Sequence, residues 1–273
     1  MKKAIMVACL FAGSSAAQTA REVRGAAAVV PLQNEPPAKI VIGRPIAKAL
    51  SLGMVVIQYR TENLRFAPVF GPAALAVSPR VGHLHVTVDD APWVWADASG
   101  EPLILQSLPP GPHKILIQLE TANHTLLDQG AVAFVVPPSA TVAAHTRREE
   151  HAAVPPERSQ NEPPAKLIVD PALAEPLSRG VVFIPYRTEN LRILPVFGPG
   201  ALAVSPRVGH IHVSVDDAAW NWTDASGNPV IIQNLPPGRH KILIRLADAN
   251  RRPIDEAAVQ VTVPAAKPHT KLH

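Results

Sequence analysis

Two histidines set two residues apart occur twice in this chain, in Gly82-His83-Leu84-His85 and in Gly209-His210-Ile211-His212. An unperturbed imidazole has a pKa near 6.5, so at neutral pH it is mostly uncharged and can give a lone pair to a metal ion. On an extended strand, residues i and i+2 point the same way, about 6.6–6.8 Å apart. Two rings so placed can swing onto one ion with metal–nitrogen bonds of about 2 Å. Imidazole donors suit Cu(II) and Zn(II). Two ligands do not make a tight site, and the candidates for a third are His113 and, in the copy, His240. Parity opposes them. His113 shares its phase with Ile115, Ile117 and Leu119, whereas His83 and His85 share the polar phase of their own strand. A β-bulge before Lys114 would reverse that phase. Asp89 has the right parity but lies about 13 Å along the strand from His85. The plainer reading makes all these histidines surface residues bonded to nearby loops. Their recurrence does not separate the two readings, because a duplication copies inert residues as readily as ligands.

All four tryptophans fall in one repeated motif, Trp93-Val94-Trp95 and Trp220-Asn221-Trp222. Indoles on one face make a platform for a sugar ring or another flat ligand. They serve equally as the cover of one end of a hydrophobic core, since tryptophan is usually highly buried. The Asp97-Ala98-Ser99-Gly100 that follows, matched by Asp224-Ala225-Ser226-Gly227, lacks the dense oxygen donors of a calcium site and reads as a turn. Tyr59–Arg65, repeated as Tyr186–Arg192, alternates charges that form surface pairs worth under about 1 kcal/mol each. Catalytic signals are thin: there is no Gly-rich phosphate loop after a strand, no G-x-S-x-G and no H-E-x-x-H.

These residues are positioned by a unit that the chain contains twice. Ala76–Asp90 (AVSPRVGHLHVTVDD) and Ala203–Asp217 (AVSPRVGHIHVSVDD) agree at 13 of 15 positions, at an offset of 127. That period is too long for a solenoid, so each unit is expected to bury its own core. Within each unit the apolar period is two. Leu84, Val86 and Val88 alternate with His83, His85, Thr87 and Asp89, and Ile211, Val213 and Val215 repeat the pattern. This predicts strands with one buried and one solvated face, which puts both imidazoles on the solvated side. Ile115–Leu119 gives another strand, and Val55, Ile57 and Tyr59, matched by Val182, Ile184 and Tyr186, give a third. Ser99-Gly100 and Pro109-Pro110-Gly111 punctuate the runs. Short strands with turns every 8–12 residues or so, in units of about 100 residues, predict an all-β chain of two tandem immunoglobulin-like antiparallel β-sandwich modules. The expected boundaries are 34–137 for the first module and 161–264 for the second, with a flexible Pro- and Ala-rich linker at 138–160 and a disordered tail at 265–273.

Residues 1–20 read as a secretory signal: Lys2 and Lys3, then a short apolar stretch, then small residues at Ser15-Ala16-Ala17. The stretch is too short to span a bilayer, so no transmembrane segment is expected after cleavage. Cleavage would remove Cys9, the only cysteine, and with it any disulfide, thiolate ligand or blue-copper site. It would also lower the formal net charge from +4 to about +2, too little and too scattered to attract nucleic acid. An aromatic fraction of 4% leaves Val, Ile, Leu and Ala to fill the cores, and thirty prolines argue against long helices.

The run YRTENLR…PVFG…SPRVGHLHVTVDD…WVWADASGEP…LPPGPHKILIQL, with its second copy, resembles an uncharacterised family of secreted bacterial domains. It is also similar to a wider group of exported β-sandwich domains with a Gly-His-x-His strand and a later Pro-Gly-x-His turn. The resemblance implies a sandwich fold and an envelope location, periplasmic or secreted, but no established activity. Its Pro-Gly-x-His element keeps His113 and His240 in view as third ligands. The residues together point to an exported, non-enzymatic tandem binding protein holding copper or zinc at its histidine strands. The alternatives are a carbohydrate or envelope-partner adaptor using the tryptophan face, and a small metal-dependent hydrolase.

Overall fold

Strand-forming rhythm dominates the chain, and strands are what it builds. The computed structural model describes residues 36–138, apart from 69 and 71–79, and residues 163–265, apart from 206. The leader expected at 1–20, nearly all of the 138–160 linker and the tail beyond 265 lie outside the described residues. The chain is all-β, two tandem repeats made of mainly antiparallel sheets. The first repeat runs β1 (Lys39–Ile42), α1 (Ala47–Leu50), β2 (Met54–Ile57), β3 (Tyr59–Glu62), β4 (Arg65–Phe66), β5 (Val81–Val88), β6 (Val94–Asp97), β7 (Leu103–Gln106), β8 (Gly111–Thr121) and β9 (Leu126–Val136). The second follows the same order with one more short helix: β10 (Lys166–Val169), α2 (Ala174–Leu177), β11 (Val181–Ile184), β12 (Tyr186–Glu189), β13 (Arg192–Ile193), α3 (Pro199–Val204), β14 (Val208–Val215), β15 (Asn221–Asp224), β16 (Val230–Gln233), β17 (Gly238–Asp248) and β18 (Pro253–Val263). Among the described residues no helix is long and apolar enough to cross a membrane.

The run of Val55, Ile57 and Tyr59 is not one strand. It breaks at Gln58, so that β2 and β3 enter different sheets. β3 pairs with β1, and β12 with β10, as two-stranded ribbons. The two large sheets each draw on both repeats. One has the order β11-β16-β6-β5-β8-β9, and the other β18-β17-β14-β15-β7-β2. Each repeat therefore gives two strands to a sheet whose other members belong to its twin. The seams are antiparallel: β16 meets β6 with Ile232 opposite Trp95 and Gln233 opposite Val94, and β15 meets β7 with Trp222 opposite Leu105.

This exchange corrects the expectation of two separate cores. Ile57, Leu84, Ile117 and Leu119 of the first repeat belong to the same buried cluster as Ile184, Ile211, Ile244 and Leu246 of the second. The described residues of both repeats fall in one compact unit. Trp95 and Trp222 stack at its centre, with rings 5.0 Å apart and inclined by 14°. The aliphatic phase of β5 points into this core, as the alternation requires. The opposite phase, which carries the histidines, is covered too: all eight residues of β5 are buried.

Candidate metal centre

The site begins with a glycine. Gly82 precedes His83 because the β8 backbone passes so close that a Cβ at position 82 would sit 2.1 Å from the Glu120 carbonyl oxygen. No side chain fits there, and the close approach sets His83 directly opposite Glu120, with His85 opposite Gln118 on β8 and Ala96 on β6. The ladder between β8 and β9 slips one residue between Leu119 and Glu120. Such a bulge re-aims the side chains beside it. The turn that follows is closed by the Thr121 amide donating to the Thr125 carbonyl and the His124 amide donating to the Thr121 carbonyl. His124 takes a left-handed conformation in it, φ 63°. Non-glycine residues adopt that region sparingly, and it recurs at functional positions.

The turn folds His124 back over the strand. His83 Nε2 lies 3.1 Å from His85 Nε2 and 3.3 Å from His124 Nδ1. Three imidazole nitrogens thus converge on one point. Glu120 Oε2 stands 3.2 Å from His85 Nδ1 and 3.6 Å from His124 Nδ1, and the four side chains form a set with metal-ligand spacing. The Phe70 ring packs on His83, centroids 4.9 Å apart. His83 is fully buried and His85 and Glu120 nearly so, while His124 is more exposed. Burial drives the His83 pKa down to about 3, with the neighbouring His85 and His124 pushing the same way. Burial pushes the Glu120 carboxyl up, but the polar contacts of His124 and His85, with the charge of His85 and His83, outweigh it and bring the pKa down to about 2. The result is a neutral imidazole beside a carboxylate, the protonation state a cation needs. One buried atom of the group, His83 Nδ1, makes no hydrogen bond, and Glu120 Oε2 is held by the charge of its histidine neighbours rather than by an aligned bond. Buried polar atoms rarely go unsatisfied, and an ion is one remedy for a carboxylate oxygen.

The second repeat keeps the pair and loses the rest. His210 Nε2 and His212 Nε2 are 2.9 Å apart, and Phe197 packs on His210 as Phe70 does on His83. At the matched offset, however, Ala247 replaces Glu120 and Arg251 replaces His124. Burial, then the charge of His212 and Arg251, holds the His210 pKa well below its usual value. His212 turns its Nδ1 to Asn221 Oδ1 at 3.1 Å, where the first repeat has Val94. Gln106 is also occupied: its Nε2 donates to Thr223 Oγ1 at 3.1 Å. Among the described residues, only the first pocket adds a third histidine and a carboxylate to its histidine pair.

His113 and His240 do not join these groups. His113 bonds Asp89 Oδ2 through Nδ1 and the Pro109 carbonyl through Nε2, both at 2.7 Å. His240 makes the same two contacts with Asp216 and Pro236. Both nitrogens of each ring are held by partners away from the His83 and His210 groups, which corrects the expectation of a third ligand there. They lock the turn before β8 or β17 onto the end of β5 or β14. The tryptophan platform is corrected as well. Trp95 and Trp222 are buried, and Trp93 stacks on Trp220 at 5.9 Å and 6°, so the rings present their faces to one another. The solvated histidine face gives way to a covered one. Glu120, His124 and Gln233 were not legible as site residues from either strand pattern. The one signal for the first two is their divergence between copies, in LETANHT against LADANRR.

A model of a family of unknown function, DUF6130, matches residues 2–147 and again 139–273. Among solved structures, the fibronectin(III)-like modules of Clostridium thermocellum CbhA align over 86% of this chain and 99% of theirs, at 10% identity and a TM-score of 0.24. No curated protein matches the sequence.

Proposed function

The chain belongs to the DUF6130 family, and for this tandem member we propose an exported, non-enzymatic protein that binds one zinc ion, in the first repeat only. The observation that carries the reading is the convergence of His83 Nε2, His85 Nε2 and His124 Nδ1 at spacings of 3.1 and 3.3 Å. Ligands on bonds of about 2.0–2.1 Å at tetrahedral angles stand about 3.3–3.4 Å apart. The two spacings lie between that value and the roughly 2.8 Å of square-planar Cu(II), and three histidines backed by a carboxylate are a donor set that zinc takes. Glu120 supplies the compensating negative charge. Its oxygen beside His85 Nδ1 fixes that ring with Nε2 toward the ion, the usual work of a carboxylate behind a metal-bound histidine. Export is supported by the apolar N-terminal stretch, and binding rather than catalysis by the cover over the site.

Metal content decides the matter. Purified full-length protein, loaded with zinc and dialysed, is expected to retain one equivalent. His83→Ala/His85→Ala and His124→Ala should lose it, whereas His210→Ala/His212→Ala and His113→Ala should keep it, each variant being checked for strand content by circular dichroism. Retention by a folded His124→Ala protein, or loss on changing His210 and His212 alone, would overturn the assignment.

A further inference from the structure

We propose that Gln233 is the fourth ligand of the metal, through its side-chain oxygen, so that one site is assembled from both repeats. The inference rests on the zinc reading above and extends it. Gln233 ends β16, a strand of the second repeat that pairs with β6 of the first. Its Nε2 lies 3.3 Å from His85 Nε2 and 3.5 Å from His124 Nδ1. Together with the two distances from His83, these close a ring of four contacts, His83–His85–Gln233–His124, each between 3.1 and 3.5 Å. A regular tetrahedron with edges of about 3.3–3.4 Å has its centre about 2.0–2.1 Å from each corner, the length of a zinc–nitrogen or zinc–oxygen bond. The carboxamide therefore stands at ligand spacing from two of the three histidine nitrogens, His85 Nε2 and His124 Nδ1. It is planar and two-ended, so a half-turn about its last bond puts Oε1 where Nε2 stands.

The twin pocket shows what frees this side chain. Ala96, opposite His85, offers Gln233 no hydrogen bond. Its counterpart Thr223, opposite His212, captures Gln106, the residue that occupies the matching place on the other seam. Three changes thus go together: the third histidine, the carboxylate and the free carboxamide are all present in one pocket and all absent from the other. A ligand from β16 has two consequences. It closes the coordination sphere, leaving no position for the water that a hydrolytic zinc must activate. It also makes zinc a clasp across the seam between β16 and β6.

Cobalt(II) reports both, since its visible absorption depends on coordination number. Full-length protein with Co(II) should give an intense four-coordinate spectrum that added azide does not change. Gln233→Ala should bind Zn(II) about tenfold to a hundredfold more weakly, the loss usual when an accessory metal partner is removed, and its Co(II) spectrum should shift with azide as the open corner fills. Gln233→Asn, one methylene shorter and still polar, should behave alike and covers the case in which alanine disturbs the seam. If wild type binds zinc and cobalt but both variants match it in affinity and azide response, Gln233 is no ligand and the zinc reading stands. If wild type takes up neither ion, both readings fail.

Discussion

Arg251 occupies in the second repeat the place His124 occupies in the first, and the two share a left-handed backbone, φ 67° and 63°. The turn is conserved between the copies while its chemistry is exchanged: a fixed cation stands where a ligand stood. The guanidinium packs over Phe197 at 6.0 Å and faces His210, so the second pocket holds positive charge of its own. Because the backbone is already in place, ligands should be restorable by side chains alone. The triple variant Ala247→Glu/Arg251→His/Thr223→Ala is expected to take up a second zinc ion per chain, read by elemental analysis after dialysis. A folded triple variant with unchanged zinc content would show that the five side chains of the first pocket do not suffice.

Gly82 tests whether the close approach of β5 and β8 matters to the site. A methyl group at 2.1 Å from the Glu120 carbonyl must push the strands apart at the point where Glu120 faces His83. Overpacking of this kind costs about 1–3 kcal/mol, and more where backbone is the obstacle. Gly82→Ala should lower the urea midpoint by an amount near the top of that range and weaken zinc binding, although Gly82 offers no ligand atom. Gly200→Ala is the control: nothing lies within 4 Å of the added methyl, and its helix should gain about 0.5–1 kcal/mol. Equal behaviour of the two variants would contradict the packing argument.

Asp97 gives the fold a pH dependence separable from the metal. Burial pushes its carboxyl up to about 6 from an ordinary 3.8, against the hydrogen bonds of Ser99 and with the charge of Asp224 adding to the rise. A raised carboxyl binds its proton more tightly in the folded chain, so its stabilising contribution is complete below about 3.8 and is lost as the pH rises through about 6. Asp97→Asn keeps the acceptor for the Ser99 amide and removes the ionisation. Thermal melts of the metal-free protein should show the variant gaining on wild type between pH 4 and pH 7 or so, the window set by the two pKa values. A constant difference across that window would mean that Asp97 does not titrate as its burial implies.

The strand rhythm made part of this legible. Alternating Leu84, Val86 and Val88 suffices to predict an extended segment and the side that meets the core, because pleating forces successive side chains to opposite faces. The same rhythm is silent on what covers the other side. Phe70 reaches the histidines from outside any strand or helix, His124 from a turn after a bulge and Gln233 from an exchanged strand, none of which leaves a periodic trace. The exchange itself is hidden by the duplication. Leu103–Gln106 reads LILQ and Val230–Gln233 reads VIIQ, so either edge would accept either strand and the sequence cannot rank the pairings. His113 shows the converse: its phase with Ile115 sets it apart from His83 and His85, and only a bulge before Lys114, or the family resemblance, would bring it into the ligand set.

Shared sheets and one core have a thermodynamic consequence. Trp95 lies opposite Ile232 on one seam, Trp222 lies opposite Leu105 on the other, and the two rings stack between them. Neither repeat can unfold without stripping strands from its twin, so denaturation should be a single transition, with fluorescence and far-ultraviolet circular dichroism coinciding. Truncating a buried indole typically removes about 3–5 kcal/mol. Trp95→Ala and Trp222→Ala should therefore each lower the midpoint of the whole chain by a similar amount. Trp93→Ala, at the less buried end of the stack, should cost less. Two resolved transitions, with only one displaced by Trp95→Ala, would mean that the repeats fold independently and that the strand exchange is not the native arrangement.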